Sequence, residues 1–415
     1  MKKKLLIING AGASVEFGMP SVNEIDSLFS NWANDLFKLE NNPNENLYEW
    51  TKTVYNSYFI NNKIDNRTDN FENYLYMMSL IESVLTKTNH WLYFSNRLKP
   101  FIEKFTELPK VEEFRGKFKT ADSHSFSFLQ SYLTDKLIEH FRKLCIGLEN
   151  SYIDEQKSLV SFYQELQNEF EIGVFNLNYD NVVLRNVPHL NTGFSKHDNQ
   201  LDRKLIHSDE WGFCYHIHGS VHFDMKGGLE NTQMHKINWN DNLHSQFSQN
   251  SSGRNSQNTS EGINVLTSSI IAGLGKTNQI LREPFIQYYM TLDRKIYEAD
   301  AILFLGYGFA DIHFNSLFEF IRFDQSKTRK VVIVDYAKDN TETFQHRSDS
   351  WSNGISQTVP FNHREIERPL RFDINEFKKN KTFERNSNPN HPIAIWYNGL
   401  LEACKNPRSI IKELV

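Results

Sequence analysis

The chain has 415 residues, 39% of them hydrophobic and 23% charged, with a formal net charge of −5. That length holds two or three modest globular domains, and 46 basic against 51 acidic residues exclude a global basic field that would draw the chain to nucleic acid. No apolar run approaches the ~18 residues of a membrane span, so no membrane association is expected.

Leu5 to Ile8 is a continuous apolar run that breaks at Asn9-Gly10, the pattern of a parallel-sheet strand buried on both faces. The Lys2-Lys3-Lys4 ahead of it precedes too short an apolar stretch for a signal peptide, and a cytoplasmic location is expected. Gly10-Ala11-Gly12-Ala13-Ser14 follows. Glycines let this backbone turn tightly and approach a ligand, and Ser14 is the expected N-cap of the next helix. Strand, glycine turn and helix N-terminus form an anion site, because free N–H groups and the helix dipole converge there. The expected guest is a pyrophosphate. The third glycine of the dinucleotide fingerprint is missing, so an ordinary strand-to-helix turn competes with this reading.

From Ser21 to about Gln167 no convincing strand is visible. Apolar residues instead recur at helical spacing, as in Ile25/Leu28/Phe29/Trp32, Tyr74/Leu75/Met78/Leu80/Ile81 and Phe128/Leu129/Tyr132/Leu133/Leu137/Phe141. Asn42–Asn46 and Asn61–Asn70 are polar breaks. Residues 21–170 are therefore expected to be a helical domain inserted between the first two strands of a parallel sheet.

The sheet is expected to resume at Glu171–Leu177, ending in Asn178-Tyr179-Asp180-Asn181, and to continue at Phe213–Ser220. Asn238 to Gly262 is polar and reads as a mobile loop. Ser268–Ala272 is a short apolar run closed by glycines, and Phe285–Tyr297 has helical spacing. Ala301–Leu305 is a strand ending in Gly306-Tyr307-Gly308-Phe309, followed by Asp311 and a helix from about Ile312 to Phe323. Val331–Asp335 is the last clear strand. This alternation indicates an α/β fold with a parallel, Rossmann-like sheet. From Tyr336 the pattern is lost, apart from a short helix within Ala394–Cys404. Residues 337–415 are expected to be a C-terminal extension.

Four segments thus fall at the carboxyl ends of strands, the edge where open parallel sheets bind ligands. They are Gly10–Ser14, Asn178-Tyr179-Asp180, His218-Gly219-Ser220 and Gly306–Phe309. In order and placement they resemble the sirtuin-like family. Gly10-Ala11-Gly12-Ala13-Ser14 with Gly18-Met19-Pro20 is similar to its first NAD loop, and Asn176–Asp180 to its T-Q-N-x-D stretch. Ile217–Ser220 looks like its catalytic H-G segment, and Leu305–Phe309 like its late glycine loop. The likeness covers about 1–20 and 171–336, the expected catalytic domain.

The departures are informative. Sirtuin deacylases hold a structural zinc with four cysteines, whereas this chain has only Cys145, Cys214 and Cys404, with no C-x-x-C. Ser21-Val22-Asn23 stands where the family has D-F-R, and Leu177 where deacylases have Gln. The chain looks more like the zinc-less sirtuin-like effectors of bacterial anti-phage defence, which hydrolyse NAD. That resemblance implies an abortive-infection NAD+ glycohydrolase with NAD as substrate and no metal. It implies a homo-oligomer, with a DNA-translocating ATPase as a candidate activating partner. The alternatives are a non-catalytic nucleotide-sensing or assembly module and, behind it, a protein deacylase.

On that resemblance Asn178 orders the reacting ribose and its water, His218 is the base and Asp180 positions the nicotinamide end. Gly10, Ala11, Gly12 and Ser14 hold the phosphates, with Asn178, Gly306, Tyr307 and Asp335 completing the nucleotide contacts. Each has a structural alternative: a satisfied strand-end histidine for His218, an Asx turn for Asn178 and Asp180, and a turn carboxylate for Asp335. His216, His218 and His222 could contribute to a metal site, but no fourth ligand is evident. Lys327, Arg329 and Lys330 read as a solvated basic face, so direct nucleic-acid binding is unsupported.

Overall fold

The four fully buried residues Leu5–Ile8 each contribute about 1.5–3 kcal/mol by leaving water, and they sit at the centre of a seven-stranded sheet. The structure is a computed structural model that describes residues 2–57, 70–85, 107–113, 116–226, 236–251, 257–258, 264–272, 276–322, 324, 326–359, 374–386 and 388–415. The chain divides into two compact units. One comprises Met1–Met19, Lys143–Ser220 and Pro284–Val415; the other comprises Pro20–Arg142 and Val221–Glu283.

The first unit holds the sheet. Its strands are β1 (Lys3–Asn9), β2 (Phe170–Asn176), β3 (Phe213–His216), β4 (Ala301–Leu305), β5 (Lys330–Val334), β6 (Glu384–Arg385) and β7 (Ile393–Trp396). They lie in the order β6-β7-β5-β4-β1-β2-β3. Every pair is parallel except β6–β7. The chain runs outward from β1 through β2 to β3, then restarts at β4 on the other side of β1. The order therefore reverses between β1 and β4, and such a switch point opens a crevice at the carboxyl edge. Helix Ile153–Glu169 leads into β2 and packs on helices Leu400–Lys405 and Pro407–Leu414. Helix Phe285–Glu298 leads into β4, and its Tyr288 ring stacks on Tyr215 of β3 at 4.9 Å.

The second unit contains helices Val22–Ala33, Leu47–Tyr55 and Phe71–Leu85, and helix Ser123–Gly147 as far as Arg142. Ser21 and Glu24 form a capping box on the first, and the Asn46 side chain accepts from Tyr48 and Glu49 N–H on the second. The Phe29 ring meets Tyr48 and Phe71 at 5.8 and 5.3 Å, so the aromatics read at helical spacing here form core.

Several expectations need correction. The unit boundary falls after Arg142 rather than after 170, because Ile153–Glu169 packs on helices of the sheet unit. Residues 337–415 are not a separate extension: Ile393–Trp396, buried throughout, is strand β7 beside β5. That run begins the segment expected to be helical, and only Leu400–Lys405 forms a helix. Lys110–Glu112 pairs with Phe118–Thr120 in a hairpin within the stretch expected to lack strands. Lys236–Trp239 pairs with Phe223–Lys226, so the expected loop from Asn238 begins inside a strand; residues 252–256 and 259–262 of that loop lie outside the described residues. The polar break at 61–69 lies outside them as well. The helix after Asp311 is Ile312–Asn315 continued by a 3-10 segment, Ser316–Arg322. Arg329 is buried rather than solvated: it lies 2.8 Å from Asp324 and donates to the Tyr297 carbonyl at 2.9 Å. The Ser326 hydroxyl and then Arg329 hold the Asp324 carboxyl down to about 2. Among the described residues no helix is long and apolar enough to cross a membrane.

Candidate active site

Three neighbouring parallel strands end in a polar residue at the same level. Asn9, Asn176 and His216 are register partners on β1, β2 and β3, and all three are buried. Asn9 Nδ2 donates to Asn176 Oδ1 at 3.1 Å, and Asn176 Nδ2 lies 3.5 Å from His216 Nδ1. Buried amides survive only when paired, and this row does so laterally. It forms the floor of the carboxyl edge. The sequence pointed to His216 only as a possible metal ligand and to Asn176 only as part of the T-Q-N-x-D-like stretch, and gave Asn9 no role, although a polar residue closes each apolar run.

The loop after β1 is more internally satisfied than expected. Gly10 N–H donates to the Leu305 carbonyl and Gly12 N–H to Gly306, each at 2.9 Å. The N–H groups of Ala13 and Ser14 bond back to Gly10 and Ala11. These four donors therefore do not stand free toward a pyrophosphate. Ser14 is not an N-cap either: the helix is only Gly12–Val15, with Ala11 at the cap position. The glycines answer a packing demand. A Cβ on Gly10 would stand 2.6 Å from the Tyr307 Cα, and one on Gly306 would stand 2.1 Å from Ala13 N, at a φ of +57°. The loops of β1 and β4 are thus packed backbone to backbone at the switch point. Ala11 and Gly12 remain exposed.

Asn178, Ser14 and Asp180 form one cluster. Asn178 N–H donates to Asn176 Oδ1 at 3.1 Å, and its side-chain Nδ2 donates to the Gly10 carbonyl and to Ser14 Oγ, both at 2.9 Å. The Ser14 hydroxyl, accepting from Asn178, directs its own proton to Asp180. Asp180 Oδ1 accepts from Val182 N–H at 3.0 Å, while Oδ2 is buried without a hydrogen-bond partner. Burial pushes the Asp180 carboxyl up, against the pull of the Val182 N–H and the Ser14 hydroxyl. The structure therefore brings Gly10, Ser14, Asn178 and Asp180 together, as an Asx-type link between the ends of β1 and β2.

His218 follows β3. The strand expected over Phe213–Ser220 stops at His216 and a turn begins at Ile217, so His216 and His218 do not share a strand face. His218 is 6% exposed. Its Nε2 lies 3.2 Å from Asp311 Oδ2 and 3.5 Å from the Tyr289 hydroxyl. Sequence reasoning marked Asp311 only as a helix start and did not single out Tyr289. Among the described residues no group of three His, Cys, Asp or Glu is arranged to hold a metal ion.

Tyr307 stands apart from its expected role. Its hydroxyl donates to Asn315 Oδ1 at 2.6 Å, and its ring packs on Phe304, Phe309 and Phe314. The ring is core, and the Tyr307 backbone and Cβ close against the β1 loop at Gly10. Asp335 follows β5 directly and is partly buried. Lost solvation pushes its carboxyl up to about 6, against the pull of Tyr336 N–H and Arg347, while Asp349 adds to the rise. A cavity of about 320 Å³ lined by Leu148, Gln156, Val160 and Arg185 contains none of these residues.

Residues 173–355 match the family model of the SIR2-like domain, a span that includes Asn178, Asp180, His218, Gly306 and Asp311. Among solved structures the chain is similar to a Sir2 homologue mutant in complex with 2′-O-acetyl ADP-ribose (10% identity, 82% of each chain covered, TM-score 0.31). It is similar also to a Sir2 homologue–NAD complex (10% identity, 82% of this chain and 80% of that one, TM-score 0.31). No curated protein matches.

Proposed function

On the match of residues 173–355 to the SIR2-like domain family, we propose that the chain is an NAD+ glycohydrolase. The observation that carries the reading is the placement of His218 beside Asp311 on the same sheet edge as the linked Asn178–Ser14 pair. One side supplies a base and the other a polar cluster for a ribose. The substrate class rests on the match to the SIR2-like domain family and on the resemblance of the strand-end loops to sirtuin-like NAD loops.

The reaction cleaves the bond between nicotinamide and ribose. Nicotinamide leaves as a neutral base from a cationic precursor, and the ribose carbon passes through an oxocarbenium-like state. Water adds to that carbon, and one proton is released, which His218 accepts. NAD+ and water thus give nicotinamide, ADP-ribose and a proton. Asn178 uses its Nδ2 to tie the β1 loop, so its Oδ1 is the atom assigned to a ribose hydroxyl or the attacking water. Asp180 holds Ser14 and the start of the following helix, which keeps Asn178 in place. The exposed turn at Ala11 is assigned to the phosphates, since the Gly12 N–H is already donated to Gly306, and Asp335 to an adenosine ribose hydroxyl. Three cysteines cannot supply the four zinc ligands of the deacylases, which supports hydrolysis over deacylation.

The proposal extends to the cell: an abortive-infection effector of anti-phage defence, held in a homo-oligomer and activated by a second protein such as a DNA-translocating ATPase. An unregulated NAD+ hydrolase would exhaust its own cell. Chromatography of NAD+ incubated with the full chain, alone and in its native complex, tests the activity. Nicotinamide and ADP-ribose without any acyl-peptide are expected. O-acyl-ADP-ribose formed only with acyl-peptide would establish a deacylase, and no turnover in either state would favour a nucleotide-sensing module.

A further inference from the structure

Asp311 and His218 come from loops after β4 and β3, which stand three strand positions apart in the sheet. At about 4.8 Å per strand that is ~14 Å, within the ~20 Å that six extended residues span. The segment Gly306–Asp311 crosses this distance through a left-handed Phe309 (φ +54°), whose ring is buried against Phe304 and Tyr307. A bulky residue at positive φ is costly and persists only where its surroundings enforce it. The result is a buried carboxylate against a buried imidazole, with side chains 8% and 7% exposed.

The two oxygens of Asp311 divide the work. Oδ1 accepts from His313 and Phe314 N–H, both at 3.1 Å, and caps the short helix Ile312–Asn315. Oδ2 lies 3.2 Å from His218 Nε2. A carboxylate is an acceptor, so the proton between them belongs to Nε2. The described contacts of the ring both fall on Nε2, including the Tyr289 hydroxyl at 3.5 Å. That leaves Nδ1 with the lone pair.

We propose that Asp311 is a positioning residue that locks His218 in the Nε2–H tautomer and so makes Nδ1 the proton-accepting atom of the site. The catalytic half of this inference rests on the hydrolase reading; the tautomer half does not. Asp311→Asn tests both, because an Asn oxygen still caps the helix while its NH₂ replaces the acceptor facing Nε2. That donor favours the opposite tautomer, Nδ1–H.

The experiment is ¹H–¹⁵N correlation NMR of the full chain labelled at histidine nitrogens, with His218 assigned by His218→Ala, together with steady-state kinetics. Wild type is expected to show Nε2–H and Asp311→Asn to show Nδ1–H, with thermal midpoints within a few degrees. kcat should fall about 10³–10⁴-fold, the scale of a wrong-tautomer defect, with KM changed less than about threefold. A His218 ring that keeps its wild-type tautomer in Asp311→Asn overturns the proposal, as does a switched tautomer with undiminished kcat. A tautomer switch in a chain that cleaves no NAD+ refutes the hydrolase reading and leaves the Asp311 assignment standing.

Discussion

Chemistry at the candidate site turns on a few side chains whose burial and pairing give each a distinct test. His218→Ala removes the base and should lower NAD+ turnover about 10²–10⁴-fold, at a stability cost of about 1–3 kcal/mol because it takes away the buried donor facing Asp311 Oδ2. Asn178→Ala should cost turnover on the same scale and about 1–3 kcal/mol of stability as well, because it removes the buried donor to Ser14 Oγ and one of the two donors to the Gly10 carbonyl. Kinetics and urea denaturation on both variants check this, and an active His218→Ala would remove that residue from the mechanism. Asp335 gives a pH signature. Its carboxyl ordinarily titrates at 3.8 and in the folded chain at about 6, so folding favours the protonated form. That contribution is present below about pH 4 and is lost as pH rises through about 6. Asp335→Asn should therefore be more stable than wild type near pH 8 and no more stable near pH 4; a gain independent of pH would contradict the assignment. The sequence showed Asn178 and His218 through short motifs at strand ends. It did not show that Asp311 faces His218, because that contact joins two distant loops and depends on the turn at Phe309.

At the scale of elements, the loops after β1 and β4 are the tightest junction in the sheet unit. Gly306→Ala should destabilise by more than about 3 kcal/mol, combining positive φ with backbone overlap; a thermal midpoint equal to wild type would show that the loops can separate. Glu16 supplies a different kind of junction. Its Oε2 accepts from Leu400 and Leu401 N–H at 2.7 and 3.0 Å, capping helix Leu400–Lys405 from a segment distant in sequence. Glu16→Ala should cost about 0.5–2 kcal/mol, measured by urea denaturation, and Glu16→Gln less, because an acceptor remains. Strands β1, β2, β4 and β5 were legible because each is an apolar run buried on both faces. β7 was not, since Ile393–Trp396 is a run of four between polar segments. The hairpin strand Lys110–Glu112 has one apolar residue and no alternation to read. The glycines were legible as a loop, but their reason was not: the sequence suggests free N–H groups for an anion, whereas the structure spends them on the neighbouring loop.

For the whole molecule, the strand order was only partly readable. Alternating strands and helices imply a parallel sheet, but the reversal between β1 and β4 and the incorporation of the C-terminal residues emerge only from pairing. We propose that the helix-rich unit, which begins at Pro20 directly after the β1 loop, supplies the assembly surface. Light scattering of the native protein should give a closed homo-oligomer; a monomer would contradict assembly. The central claim, water attack on the ribose carbon of NAD+ with His218 as base, is tested most directly by turnover in H₂¹⁸O using the full chain in its native complex. One ¹⁸O atom is expected in the ADP-ribose released with nicotinamide, and no labelled product from His218→Ala. ADP-ribose without label, an acylated product in its place, or equal labelling by His218→Ala would contradict it.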